Sequence, residues 1–319
     1  MAAAPISVTP ASVRAAAERI KGLIVHTPML RNAALDRAVG ATVLVKPEVL
    51  QRTGSFKLRG ATNALLSLAP DVRAAGVVAY SSGNHGQAVA CAAAALGVPA
   101  TIVMPADAPA IKRDSTAFWG AEVVLYDRES GNREAISAEI VARTGASLIP
   151  PYDHADVIAG QGTLALELAE DAAAEGLAMD AFLSPAGGGG LMAGCALALS
   201  EASPGTKCYT AEPEGWDDTA RSLAAGERVR NDMRGSKFCD ALLTPTPGQL
   251  TFPINQRLVT AGFAASDDEV RAAMRFAARH LKLVVEPGGA VALAALLSGK
   301  AMFPGQVVGV LLSGGNVEV

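Results

Sequence analysis

The feature that most restricts this chain's fold is a recurrent alternation of short apolar strand patterns with segments of helical length and period. Strand patterns lie at 42–46 (TVLVK), 76–81 (GVVAYS), 100–104 (ATIVM), 121–126 (AEVVLY), 180–184 (DAFLS), 207–212 (KCYTAE) and 307–313 (VVGVLLS). Helical patterns fall between them, for example at 131–144, 160–173 and 188–200. Thr9-Pro10 reads as an N-cap with proline at the first helical position, a favourable start because proline has no N–H to leave unpaired. Ser266 and Glu269 form a capping-box pattern ahead of VRAAMRFAARHLKL. Strands of this kind, spaced by helices, specify open parallel α/β sheets. At 319 residues, the chain has room for two such domains. Grouping of the strands places the boundaries near 77 and 150, giving a large domain of 1–76 plus 151–319 and a smaller one of 77–150.

Composition removes several functional classes. A net charge of −4 and a pI near 5.7 provide no electrostatic footprint for nucleic acid or an anionic membrane. Cys91, Cys195, Cys208 and Cys239 are widely spaced with no CxxC pair, so neither a thiolate zinc site nor a disulfide framework is expected. MAAAPISVTP lacks a basic leader and an apolar stretch. The longest apolar run, 88–98, is too short to cross a bilayer. A soluble, cytoplasmic protein is the expectation.

In open parallel sheets, ligands bind beyond the carboxyl ends of the strands, so the loops that follow strands carry the functional signal. SSGNHGQA follows the strand ending at Tyr80, PAGGGGLMAG follows Ser184, and SGGNVEV follows Leu312. Glycines at a strand–helix turn let several backbone N–H groups converge on an anion with the helix dipole behind them. Gly187 to Gly190 therefore read as a phosphate cradle. A fourth stretch, GSFKLRG at 54–60, sets Lys57 among small and apolar neighbours at a helix start.

Each signal alone has a plainer explanation: helix capping for Ser82 and His85, tight packing for the glycines, a solvated charge for Lys57. Gly188, Gly190 and Ala193 also fit G-x-G-x-x-A, with Glu212 ending the next strand about twenty residues on. An NAD-binding oxidoreductase would have that pattern, but it leaves Lys57, the Ser-Asn-His loop and Ser313 unexplained. A non-catalytic amino-acid-binding protein is the other alternative, and retention of Lys57 argues against it.

Together, GSFKLRGA, SSGNHGQA, GGGG and SGGN, in this order and spacing, resemble the fold type II pyridoxal-phosphate enzymes, most closely the threonine/serine dehydratases (ammonia-lyases) and serine racemases. The resemblance extends to VIAGQGTLALE at 157–167 and VVEPGGA at 284–290. It implies a tryptophan-synthase-β-like pair of parallel-sheet domains, a homodimer, and a smaller domain that closes over the site. It implies pyridoxal 5′-phosphate bonded through its aldehyde to Lys57, packed on Phe56, with its ring hydroxyl held by Asn84. Gly187, Gly188, Gly189, Gly190 and Leu191 would supply backbone donors to the phosphate, and Ser313 would face the pyridine nitrogen. Ser81, Ser82, Asn84 and His85, with the loop amides, match the grip on the substrate carboxylate.

The activity so implied is β-elimination from a hydroxy amino acid, with Lys57 moving the α-proton, to give a 2-oxo acid and ammonia. Threonine and serine are the expected substrates, giving 2-oxobutanoate and pyruvate; 3-hydroxyaspartate is the alternative, with Arg133 or His154 as partner for its second carboxylate. Ser82 matches the serine that delivers a proton to the face opposite the lysine in racemases, so serine racemase is a further reading. EPEGWDD at 212–218 resembles the racemase segment that binds a divalent cation, with Glu212, Asp218 and the Trp216 carbonyl as ligands. Oxygen ligands of this kind suit Mg, Ca or Mn. Asp240-Ala241 stands where relatives often have Asp-Gly, at the edge of the substrate pocket.

Overall fold

A computed structural model of the chain describes residues 8–127 and 130–318. It contains two parallel sheets, each covered by helices. The strands, numbered in chain order, are β1 (Thr42–Pro47), β2 (Val77–Tyr80), β3 (Ala100–Pro105), β4 (Glu122–Tyr126), β5 (Ser147–Leu148), β6 (Ala181–Pro185), β7 (Lys207–Pro213), β8 (Val259–Ala265) and β9 (Val307–Leu312). The larger sheet has the order β1-β9-β6-β7-β8 and the smaller one β4-β3-β2-β5. All pairings within both sheets are parallel, as expected of strands joined by helical crossovers. The strands of the smaller sheet all lie between residues 77 and 148.

Central strands carry apolar residues on both faces because helices cover both sides: all of β6 and all but the first residue of β9 are buried. Helix Pro287–Leu297 is buried along its first ten residues, which accounts for a sequence almost without charge. The helix starts read from the sequence are formed. Thr9 accepts from the Ser12 N–H and Ser266 from the Glu269 N–H, each within a capping box. No helix among the described residues is long and apolar enough to cross a membrane.

Two strands escape the sequence pattern. β5 has two residues, too few to show a period. β8 (VTAGFAA) is half-buried and built mostly of small residues. A Cβ at its Gly262 would lie 2.6 Å from both Thr210 Oγ1 and Ala220 Cβ, so the close approach of neighbouring elements removes the side chain that would have marked a strand. The helix expected from the Ser266 capping box through VRAAMRFAARHLKL (270–283) also changes character: its α-helical part is Asp267–Phe276, followed by a π-helical turn at Ala277–Leu281.

Candidate active site

A cleft opens at the carboxyl ends of β2, β6 and β9. It brings together Phe56, Lys57, Ser81, Ser82, Asn84, His85, Arg133, Gly187 to Leu191 and Ser313. Chain order alone does not bring them together; the joining contacts are tertiary. Phe56 N–H donates to the Ser313 carbonyl at 3.1 Å, and Ser55 forms a bridge with Gly314. The end of β9 is thereby fastened to the start of helix Lys57–Ser67.

Lys57 is the first residue of that helix. Its Nζ donates to the Pro151 carbonyl at 2.8 Å and lies 5.2 Å from the Phe56 ring centroid. Burial lowers its pKa to about 8, opposed by the carboxylate of Glu286. Desolvation makes the neutral, nucleophilic amine accessible near neutral pH, the property a carbonyl-bonding lysine needs.

The glycine loop has its carbonyls pinned from behind. Thr251 Oγ1 donates to the Gly188 carbonyl at 2.7 Å, and Asn255 Nδ2 to the Gly189 carbonyl at 3.1 Å. In a trans peptide the N–H points opposite to the C=O, so the N–H groups of Gly189 and Gly190 point away from these anchors. Gly190 opens a helix running to Ala202, whose dipole adds to the donors. Side chains are excluded here: a Cβ on Gly188 would lie 2.3 Å from the Tyr152 ring, and Gly189 has φ +88° with Thr251 and Asn255 closer than 3 Å.

Asn84 begins helix Asn84–Leu96, and its amide is held from both sides. Its Nδ2 donates to Glu286 Oε1 at 2.5 Å, while Asn316 Nδ2 donates to its Oδ1 at 2.8 Å. Gly83 N–H donates to Ser81 Oγ at 3.1 Å, and Ser82 lines the cleft beside it. The first N–H groups of this helix have no intrahelical acceptor and can receive a carboxylate.

The side chain of His85 takes another part than the expected one. It is buried, with Nε2 2.8 Å from the Ile149 carbonyl. Burial, reinforced by Lys57, lowers its pKa to about 3, so the ring is neutral and Nε2 must carry the proton it donates. Nδ1 is then an acceptor and finds no partner among the described residues. A neutral ring with an acceptor nitrogen cannot hold a carboxylate; only the backbone N–H of His85 can.

Arg133, first residue of helix Arg133–Thr144, lines the cleft with its guanidinium 5.1 Å from the Tyr80 ring centroid and its Nε donating to Glu134 Oε1 at 3.0 Å. His154 does not line the cleft. Sequence reasoning missed two charged residues that do. Glu286 is buried at the N-cap of helix Pro287–Leu297, with its pKa pushed up to about 7 by burial. Lys112 is also buried, with Nζ 2.5 Å from Asp240 Oδ2 and 3.9 Å from Glu286 Oε2. Glu286 lies within the quoted VVEPGGA motif; Lys112, in AIKRDST, looks like any amphipathic helical lysine.

The donors in this cleft fit pyridoxal phosphate. A primary amine with a lowered pKa, an anion cradle at a helix N-terminus, an aromatic ring and a hydroxyl at the end of β9 complement an aldehyde, a phosphate, a flat ring and a ring nitrogen.

The acidic turn lies outside the cleft. Both oxygens of Glu212 accept main-chain N–H groups, from Thr219 at 2.9 Å and Ala220 at 2.8 Å. Asp218 Oδ1 accepts from Asn231 Nδ2 at 2.6 Å, and its Oδ2 is buried without a hydrogen-bond partner among the described residues. Burial raises both carboxyl pKa values, that of Asp218 to about 7. Trp216 is buried, with its indole N–H donating to the Ser236 carbonyl at 2.8 Å. No group of three or more His, Cys, Asp or Glu side chains that could hold a metal occurs among the described residues. A cation here would need main-chain oxygen and water as well.

A family model described as pyridoxal-phosphate dependent enzyme matches residues 20–314. The chain is 46% identical over 304 residues to an L-threo-3-hydroxyaspartate ammonia-lyase of Pseudomonas sp, covering 95% of this chain and 94% of that protein. It is 40% identical to a serine racemase of Schizosaccharomyces pombe, covering 96% and 94% respectively. Among solved structures, a threonine deaminase of T.th. superposes with a TM-score of 0.91 at 42% identity, covering 97% of this chain and 98% of that one.

Proposed function

This chain belongs to the pyridoxal-phosphate dependent enzymes of fold type II, and from that premise we propose that it is an ammonia-lyase for 3-hydroxyaspartate. The relative from Pseudomonas sp has that activity in its name, and threonine and serine, the first expectation from sequence, become secondary substrates. The observation that carries the choice is Arg133 on the cleft wall. A second carboxylate drawn out of water needs a cationic or strongly donating partner, and the guanidinium still has donors beyond the Nε–H given to Glu134.

The cofactor supplies the electron sink for the carbon from which the α-proton leaves. Lys57 Nζ would hold the cofactor through its aldehyde, and its amine would move the α-proton of the substrate. The N–H groups of Gly189 and Gly190 fix the phosphate. Asn84, oriented by Glu286 and Asn316, holds the ring hydroxyl. Ser313, a neutral hydroxyl on the cleft wall, would face the ring nitrogen, where it supplies no negative charge to keep a proton on that nitrogen. The helix-start amides at 84–86, with Ser81 and Ser82, orient the α-carboxylate.

The test compares kcat/KM for L-threo-3-hydroxyaspartate, threonine and serine in the wild type and in Arg133→Ala. A wild-type preference for 3-hydroxyaspartate that falls selectively, by about tenfold or more, in the variant supports the reading. A preference for threonine or serine that Arg133→Ala leaves unchanged refutes it.

A second reading, serine racemase, rests on Ser82 lining the same cleft as Lys57. If it holds, Ser82→Ala suppresses interconversion of serine enantiomers far more than elimination; equal loss of both makes Ser82 a binding residue only. Further parts of the proposal are a homodimeric assembly and a divalent cation (Mg, Ca or Mn) at Glu212, Asp218 and the Trp216 carbonyl. The unpartnered Asp218 oxygen and the raised carboxyl pKa values support the cation, because a buried acidic pair is stabilised by a positive charge.

A further inference from the structure

We infer that Lys112 is a positioning residue that clasps the substrate turn Ser82-Gly83-Asn84 to the opposite wall of the cleft through Asp240 and Glu286. The inference deepens the functional reading above and rests on it for the role of the turn.

Lys112 belongs to helix Ala110–Phe118, which follows β3 of the smaller sheet. Its stem lies under the turn: a Cβ placed on Gly83 would be 2.7 Å from Lys112 Cδ, 3.2 Å from Cε and 3.4 Å from Nζ. Position 83 has no room for a side chain because the lysine stem fills it; the backbone there is extended, with φ 179°. The ammonium at the end of the stem then reaches residues of the other wall. Asp240, in the short helix Asp240–Leu242, lies 2.5 Å away, and Glu286, just before helix Pro287–Leu297, lies 3.9 Å away. Glu286 returns to the turn through its Oε1, which accepts from Asn84 at 2.5 Å. The loop is closed: turn, lysine stem, ammonium, Glu286, Asn84, turn.

Burial makes the clasp directional. A nearly buried ammonium is stable only with an anionic partner. Asp240 supplies one from a half-exposed position, and Glu286 a second from a buried one. The charged and polar groups that face Glu286 are Lys57, Lys112, Asp240 and Asn84. Losing Lys112 would leave Asp240 and Glu286 facing each other with Lys57 as the remaining cation, and Glu286 would then hold its proton to higher pH. A protonated Glu286 orients Asn84 less firmly, so the turn, and with it the carboxylate-binding amides, would loosen.

The test uses the full-length holoenzyme in four forms: wild type, Lys112→Met, Asp240→Asn and the double variant. Hydrogen exchange of the segment 81–90 is read beside KM and kcat for 3-hydroxyaspartate. Each single variant should speed exchange in that segment and raise KM by about tenfold with a smaller fall in kcat. The double variant should be no worse than Lys112→Met, because the two residues act as one unit. In Lys112→Met the acid limb of the kcat/KM profile should move to higher pH, a shift that merely loosened packing would not produce. The partly exposed position 240 keeps the test decisive if Lys112→Met folds poorly. Unchanged exchange and KM in Asp240→Asn, or additive effects in the double variant, would overturn the clasp. If the wild type releases no 2-oxo acid from any hydroxy amino acid, the functional reading fails, and the exchange data still decide whether the clasp exists.

Discussion

Two buried ionic clusters meet on one helix, two residues apart, and they differ in kind. Arg59 donates to Glu48 at 2.8 Å from Nε and 2.8 Å from Nη2, and to Glu167 at 2.7 Å and 2.8 Å. Lys46 joins Glu167 at 2.7 Å and the Thr27 carbonyl at 2.7 Å, while Thr27 Oγ1 donates to Glu48 at 2.6 Å. Two cations and two carboxylates balance, and the carboxylates are bound from several directions. Around Lys57 the charges also number two cations, Lys57 and Lys112, and two carboxylates, Asp240 and Glu286, but the hydrogen bonding is incomplete. The Lys57 hydrogen bond goes to a carbonyl, and Glu286 keeps a buried oxygen with no hydrogen-bond partner among the described residues. The pKa values of lysine and carboxyl are displaced toward each other, to about 8 and about 7. Buried polar groups in proteins are nearly always satisfied, and displaced pKa values gather where chemistry occurs. The satisfied cluster anchors the helix, and the unsatisfied one at the same helix's first residue faces the cleft.

That contrast is open to direct attack. Lys57→Ala should lower turnover by roughly 10³-fold or more, while the melting temperature of the cofactor-free protein stays the same or rises, since a desolvated amine is removed. Normal 2-oxo acid release by this variant would end the assignment of Lys57. Arg59→Leu should do the opposite, costing about 3–5 kcal/mol of stability because Glu48 and Glu167 are left buried without their partner. Denaturant midpoints measure this, and a midpoint equal to wild type would mean that the cluster anchors nothing.

The third expectation concerns pH. Glu286 binds its proton up to about pH 7 in the folded chain and only to the ordinary carboxyl range when unfolded. The folded state therefore holds the extra proton between those values, and stability contributed by Glu286 falls as pH rises through that window. Lys57 acts in the opposite sense at higher pH, since between about 8 and its ordinary value the unfolded chain holds the proton. Glu286→Gln should flatten the decline between about pH 5 and pH 7.5, in part only, because Asp218 titrates in the same range. Melting curves of the two proteins at both pH values decide it; parallel curves would remove Glu286 from the account.

The smallest effect is expected at the third buried acidic group. Chelation of divalent ions should lower the melting temperature by about 2–4 °C, the shift that roughly 1 kcal/mol produces in a large domain. Asp218→Ala should be insensitive to chelator. If the wild type is also insensitive, Glu212 serves only to accept the Thr219 and Ala220 N–H groups, and Asp218 only to accept from Asn231.

Much of this molecule was determined by sequence alone, for a physical reason: its information is local. Apolar runs of strand length between helical periods specified parallel sheets, and Thr9 and Ser266 marked helix starts through bonds three residues long. GGGG needed only the absence of side chains to be read as an anion cradle, and Lys57 stood out by its apolar company. The tertiary structure decided what depends on partners distant in the chain. It turned the His85 ring onto the Ile149 carbonyl, 64 residues away, where a loop motif alone gave no sign of it. It set Lys112 against Asp240, 128 residues away, and raised the pKa of Glu286 by burying it. It also hid β8, whose small residues answer to neighbours in space and not in sequence. Periodicity and capping act within a few residues, whereas desolvation and charge pairing depend on what folding brings near.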